Sequence, residues 1–123
     1  METLKPQPGI YRHYKKGNEY RVIGAGKVGR SIGTDGLLDI AHYSEDPKIE
    51  VYVFKRGKDF VLEGNLPSDL EFVIYEQHYD SDLFKKGSSW VRPLEMFLET
   101  VKVDGKEVPR FTYIGKDNGQ GTG

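Results

Sequence analysis

Helical periodicity is confined to one short stretch of this chain, and that limits the fold more than any other feature. Pro93 suits a first helical position, where its missing N–H costs nothing. Leu94, Phe97, Leu98 and Val101 then recur at i, i+3, i+4 and i+7 and make one apolar stripe. The other apolar segments are short runs rich in Val, Ile, Tyr and Phe, bounded by Gly, Asn, Asp or Pro. That is the composition of strands and turns. One short helix cannot cover a core, so the strands must bury their apolar faces against one another. The sequence predicts a mainly β domain with one short helix near 93–101.

The strands follow in order. Residues 10–15 and 19–24 flank Lys16-Gly17-Asn18 and read as a hairpin. Alternation puts Ile10, Arg12 and Tyr14 on one face and Tyr11, His13 and Lys15 on the other. Residues 24–36 hold five glycines and read as a loop or an irregular, bulged strand. Leu37 to Tyr43 reads as a short strand and Ser44-Glu45-Asp46-Pro47 as a turn. Ile49 to Phe54 is apolar on both faces, which predicts a central strand. Arg56-Gly57-Lys58-Asp59 turns the chain into Phe60-Val61-Leu62, and Glu71 to Glu76 adds another strand. Beyond the helix, Asp104-Gly105 centres a second hairpin. Phe111 to Ile114 then reads as the strand that closes a barrel. Residues 1–9 read as an extended lead-in, 10–114 as a single domain, and 115–123, with four glycines, as a disordered tail.

A chain of 123 residues suits one domain with a core of its own. It has no cysteine, which excludes disulfides, thiolate metal sites and cysteine nucleophiles and fits a reducing compartment. The N-terminus lacks the apolar core of a signal peptide and no apolar run is long enough to span a bilayer, so a cytoplasmic location without membrane contact is expected. A net charge of −1 argues against bulk nucleic-acid binding. The charge is segregated, however. Residues 10–30 set six cations against Glu19 alone, and residues 35–82 set twelve carboxylates against four cations.

Gly24-Ala25-Gly26-Lys27-Val28-Gly29 matches the dinucleotide pattern G-x-G-x-x-G. That motif works because a helix follows the glycines and its N-terminus binds pyrophosphate. Here Gly33 and Gly36 follow within a few residues and oppose a helix. No acidic residue follows the next good strand, where Lys55 and Arg56 stand instead. The segment predicts a glycine-rich β-loop, and no cofactor is expected.

Other chemistry is thin. His13, His42 and His78 lie 29 and 36 residues apart, a spacing that anchors no metal. Ser88 and Ser89 lack a local base or nucleophile elbow, so no catalytic residue is assigned. Trp90 and Arg92 share a face of an extended strand. An indole beside a guanidinium suits a planar or anionic ligand. Their position before Pro93 also suits a structural role, with Trp90 sealing one barrel end and Arg92 donating to backbone carbonyls or a carboxylate near the turn.

Two blocks, Ile10 to Ile23 and Trp90 to Ile114, resemble the domain-of-unknown-function family 1653, a group of small bacterial domains. The segments Ala41-His42-Tyr43-Ser44-Glu45 and Val73-Ile74-Tyr75 are also similar. The resemblance implies a small SH3-like barrel or roll and no activity. Residues 25–37 and 55–71 have no clear counterpart and read as insertions. Barrels of that kind hold peptides, nucleic acids or other domains, which makes a binding module the expectation. The candidate surface joins Tyr11 and His13 with Trp90 and Arg92, bordered by Lys15 and Arg21. Its expected partner is an anionic or planar small molecule or another protein. The rival class is a small enzyme for a nucleotide-like or other anionic metabolite, with His13 as acid or base and Arg92 as clamp. Convergence of His13, Arg12 and Arg92 on one concave pocket would favour an enzyme or ligand site, and dispersal over a flat face a partner-binding module.

Overall fold

A computed structural model describes residues 6–15 and 17–115. Ten strands and one helical turn follow in order: β1 (Gly9–His13), β2 (Glu19–Val28), β3 (Gly36–Tyr43), β4 (Asp46–Arg56), β5 (Asp59–Glu63), β6 (Glu71–Gln77), β7 (Ser89–Pro93), α1 (Leu94–Phe97), β8 (Thr100–Val103), β9 (Lys106–Pro109) and β10 (Phe111–Gly115). Strand accounts for 59% and helix for 4% of the described residues, so the mainly β class holds. Most of the expected tail, and residues 1–5 of the lead-in, lie outside the described residues.

Six strands close a barrel in the order β2-β5-β4-β3-β7-β6, with β6 returning to β2. Closure depends on β2 changing partners along one edge. Its first half pairs with β1 through Glu19–Val22. Its last residues pair with β5 in parallel, Gly26 opposite Phe60. Its other edge follows β6 throughout, with a register shift between Val22 and Gly24. A bulge there bends the strand and sharpens its twist, which lets one strand serve two neighbours. β10 pairs with β1 and lies outside the ring. The expectation that Phe111 to Ile114 closes the barrel is therefore corrected: the β2–β6 ladder does so.

The apolar residues form two cores. Ala41, Val51, Val53, Leu62, Phe72, Ile74 and Val91 fill the barrel. Tyr11, Val22, Val73, Tyr75, Leu94, Phe97 and Phe111 form a second layer outside it. β6 separates the two, with Phe72 and Ile74 facing inward and Val73 and Tyr75 outward. This is why its sequence shows no polar alternation. β4 differs from its reading as a strand covered on both faces. It is central in the sheet, but Tyr52 on its outer face is 43% exposed.

The helix is shorter than its periodicity predicts. Leu94 and Phe97 are buried, but the helix stops there, and Leu98 is 42% exposed. Val101 belongs instead to β8, opposite Val108. Pro93 is extended, with φ −52° and ψ 136°, and ends β7 as the residue before the helix. The reason is local competition. A single turn barely repays helix nucleation, whereas Thr100, Val101 and Val103 favour a strand. Asp104 and Gly105, at φ 52° and 80°, then make the tight turn that pairs β8 with β9.

The glycines of the dinucleotide-like motif have a packing function. A Cβ on Gly24 would meet the Phe60 ring at 2.5 Å, and one on Gly26 would meet the Phe60 carbonyl oxygen at 2.7 Å. The first five motif residues continue β2, so no helix follows them. In the loop beyond, the Ser31 and Ile32 amides already donate to the carboxylates of Glu63 and Asp35. Arg56 grips Asp35 with two bonds of 2.9 and 2.7 Å and also donates to the Arg30 carbonyl. Amides occupied by carboxylates offer nothing to a pyrophosphate. Gly26→Val should therefore destabilise the fold by about 1–3 kcal/mol through overpacking. An unchanged urea midpoint would show that β2 does not approach β5 so closely.

Candidate functional site

β2, β6 and β7 are neighbours, and the same outward face of all three carries polar and aromatic residues at one end. Register sets Tyr20 opposite Gln77 and Tyr75 opposite Trp90. Alternation on β7 puts Arg92 on the face of Trp90. The 78–88 connection and the turn between β3 and β4 rise beside this face. Together they enclose a cavity of about 280 Å³. Its walls are the rings of Tyr20, Tyr75, Tyr79, Phe84 and Trp90, and its polar groups come from Arg92, Gln77, Ser44 and Ser81.

Gln77 organises the site from below. It is 2% exposed. Its Nε2 donates to the carbonyls of Tyr79 at 2.8 Å and Phe84 at 3.1 Å, and its Oε1 accepts from Trp90 Nε1 at 2.8 Å. One amide thus ties the indole to both sides of the 78–88 connection. Phe84 then meets Trp90 edge-on at 4.7 Å, and His42 packs on Phe84 at 4.8 Å. The Tyr20 and Tyr79 hydroxyls bond to each other at 2.6 Å. Burial, reinforced by that bond, pushes the ionisation of Tyr20 far up, so it stays a neutral phenol. Only one proton of the pair lies between the two oxygens, and the other hydroxyl retains a proton to donate.

Arg92 is pinned on two sides. Its Nε donates to the Tyr75 hydroxyl at 3.1 Å, and its guanidinium covers the Phe111 ring at 5.5 Å. No carbonyl accepts from it among the described residues, so the expected donation to the turn before Pro93 is replaced by the phenol and the ring. Trp90 likewise does not seal a barrel end. It packs on the outer layer and faces the cavity.

Of the surface anticipated from sequence, the cavity brings together Trp90 and Arg92. Tyr11 is buried in the outer layer, edge-on to Phe97 and Tyr113, with its hydroxyl donating to the Gln7 carbonyl. His13 sits edge-on to Phe111 at 5.1 Å and does not line the cavity. Burial first, then Arg110, Arg92 and Lys15, push its pKa below the usual histidine value and favour the neutral ring. Lys15 is exposed, and its amide bonds His13 Nδ1. Arg21 pairs with Glu76 at 2.8 Å, and Arg12 with Glu19 at 3.1 Å. The three histidines are held in different places: His13 on Phe111, His42 on Phe84, and His78 at 3.3 Å from Glu76. Among the described residues no group of three potential ligands could hold a metal. No helix among them is long and apolar enough to cross a membrane.

The sequence reading missed Tyr20, Tyr75, Gln77, Tyr79 and Phe84. Alternation carried a signal for two of them. If Phe72 and Ile74 face the barrel, Tyr75 and Gln77 must share the opposite face with the adjacent Trp90 and Arg92. A larger groove of about 480 Å³ lies near α1, but its rim carries Glu45, Asp69, Glu71 and Glu95 and no basic residue lines it. An anionic ligand would be repelled there.

A family model described as "Protein of unknown function (DUF1653)" matches residues 52–113. The matched span includes residues 55–71, which the resemblance had left without a counterpart, and begins beyond the Ile10–Ile23 block. No curated protein and no solved structure matches the chain.

Proposed function

The chain belongs to the DUF1653 family, whose function is unassigned, and we propose that this member is a binding module whose ligand is small, planar and anionic and sits in the Trp90–Arg92 cavity. The supporting observation is Arg92 itself. It is held by Tyr75 and Phe111, its terminal nitrogens have no acceptor among the described residues, and it lines a space walled by five rings. A guanidinium is a strong donor and is normally partnered. Aromatic walls stack on a planar ligand, and the guanidinium neutralises its charge. A concave site of this size favours a small molecule over a flat protein partner.

The enzyme alternative draws less support. His13, Arg12 and Arg92 do not converge, because His13 does not line the cavity and Arg12 is exposed and paired with Glu19. A barrel without cysteine is consistent with a bacterial cytoplasm, and we place the module there.

A thermal-shift screen of nucleotides, aryl acids, inorganic anions and divalent metals tests this function. A ligand at 100 times its dissociation constant adds about 2.7 kcal/mol of stability. Planar anions should raise the melting temperature by several degrees, and Phe84→Ala should reduce that rise. If metals alone stabilise the protein, or no planar anion does, the binding assignment is wrong.

A further inference from the structure

We infer that the ligand of the Trp90–Arg92 cavity is a single-ring aromatic monocarboxylate; this rests on the binding function proposed above and narrows it. Size, donor geometry and charge each bear on the choice.

The cavity has a volume of about 280 Å³ and is partly open to solvent. That admits one ring with a short acid arm. At the lower end of the range for small-molecule pockets, it matches a single ring better than a ring, a sugar and a phosphate together.

The donor edge is set by the protein. Nε of Arg92 is taken by Tyr75, and one face of the guanidinium covers Phe111. The edge that remains carries two parallel N–H groups, one on each terminal nitrogen. Two parallel donors in a plane match the two oxygens of a planar carboxylate. The proton left over in the Tyr20–Tyr79 pair supplies a further donor. The walls then receive the ring. Phe84 and Trp90 already meet edge-on, and an aryl group between them and Tyr79 can continue that packing.

Charge separates a carboxylate from a phosphate. Arg92 is the only cation among the residues that line the cavity, and Glu45 lies close enough for its charge to be felt at Arg92. A monoanion is balanced by one guanidinium. A phosphate monoester carries nearly two charges at neutral pH, and its second charge would be desolvated without a partner.

The chain has one tryptophan, and it lines the cavity, so its fluorescence reports occupancy directly. Wild-type protein is titrated with benzoate, phenyl phosphate and benzamide. Benzoate should shift Trp90 emission saturably, with benzamide and phenyl phosphate each at least about tenfold weaker, the effect of losing or mismatching one charged hydrogen bond. Arg92→Met should bring benzoate down to the level of benzamide. The urea midpoint of that variant shows whether it folds, and the ranking of the three ligands on wild-type protein needs no variant. Phenyl phosphate binding as tightly as benzoate would overturn the carboxylate while leaving a planar-anion site in place. Silence toward all three probes, with stabilisation by larger planar anions in the thermal screen, would overturn the single-ring class alone. Silence toward every planar anion would overturn the binding function as well.

Discussion

Phe97→Ala should cost about 3–5 kcal/mol of stability, the range for emptying a large aromatic site in a packed core. Phe97 is 1% exposed. It stacks on Phe111 with ring centroids 4.3 Å apart and planes 2° from parallel. Tyr11 meets it edge-on at 5.4 Å and Tyr75 lies at 5.8 Å. Those three neighbours stand on β10, β1 and β6, strands locked into one sheet by the β1–β10, β1–β2 and β2–β6 ladders. The walls of the cavity left behind therefore cannot collapse together, and the cost falls toward the upper part of the range. Urea unfolding checks this, with Leu98→Ala beside it. Helical periodicity gives the two residues equal weight. The structure leaves Leu98 42% exposed and assigns it less than about 1 kcal/mol. Similar losses for the two variants would restore the longer helix. A loss below about 1 kcal/mol for Phe97→Ala would mean that the outer layer is not a core.

The contrast between these two residues shows what was legible in the sequence. Turn chemistry was readable because it is local. Asp104-Gly105 makes the tight turn it suggests, and Gly17-Asn18 lies between paired strands. The strands were readable because β-formers cluster between glycines. Element length at 93–101 was misjudged because it depends on the residues downstream: β-branched side chains and a hairpin turn draw Val101 into a strand. The two-core arrangement could not be read at all. Continuous apolar strands such as Phe72 to Tyr75 say that both faces are buried, not what covers each. The candidate site suffered most. Tyr11 and His13 share a face with each other, as alternation requires, but that face meets Phe97 and Phe111 instead of Arg92's open edge. Trp90 and Arg92 were found because they sit on one strand. Tyr20, Tyr79 and Phe84 join them only through β2–β6 pairing and the path of a connection, both nonlocal.

Gln77→Leu should cost roughly 2–4 kcal/mol and disorganise the cavity at the same time. The change keeps side-chain volume nearly constant in a site that is 2% exposed, so packing alone predicts a small effect. Hydrogen bonding predicts a large one. Leucine leaves the Trp90 N–H and the Tyr79 carbonyl without the amide, whereas the Phe84 carbonyl keeps its bonds from the Ser81 amide and hydroxyl. A buried polar group left unpaired costs about 1–3 kcal/mol. Water can reach part of this region through the cavity, which holds the total below the sum of two full penalties. The backbone of Gln77 still exchanges bonds with Ser88 and Gly87, so β6 and the foot of the 78–88 connection should persist. What is lost is the tether that sets Trp90 against Phe84. Trp90 emission should therefore shift to the red in the native state, and benzoate binding should weaken about tenfold or more. Gln77→Glu sharpens the comparison. A carboxylate still accepts from Trp90 but cannot donate to either carbonyl, so the indole should stay in place while the 78–88 connection loosens. Native emission unchanged in Gln77→Leu, with a stability loss under about 1 kcal/mol, would show that the rings hold the site without the amide.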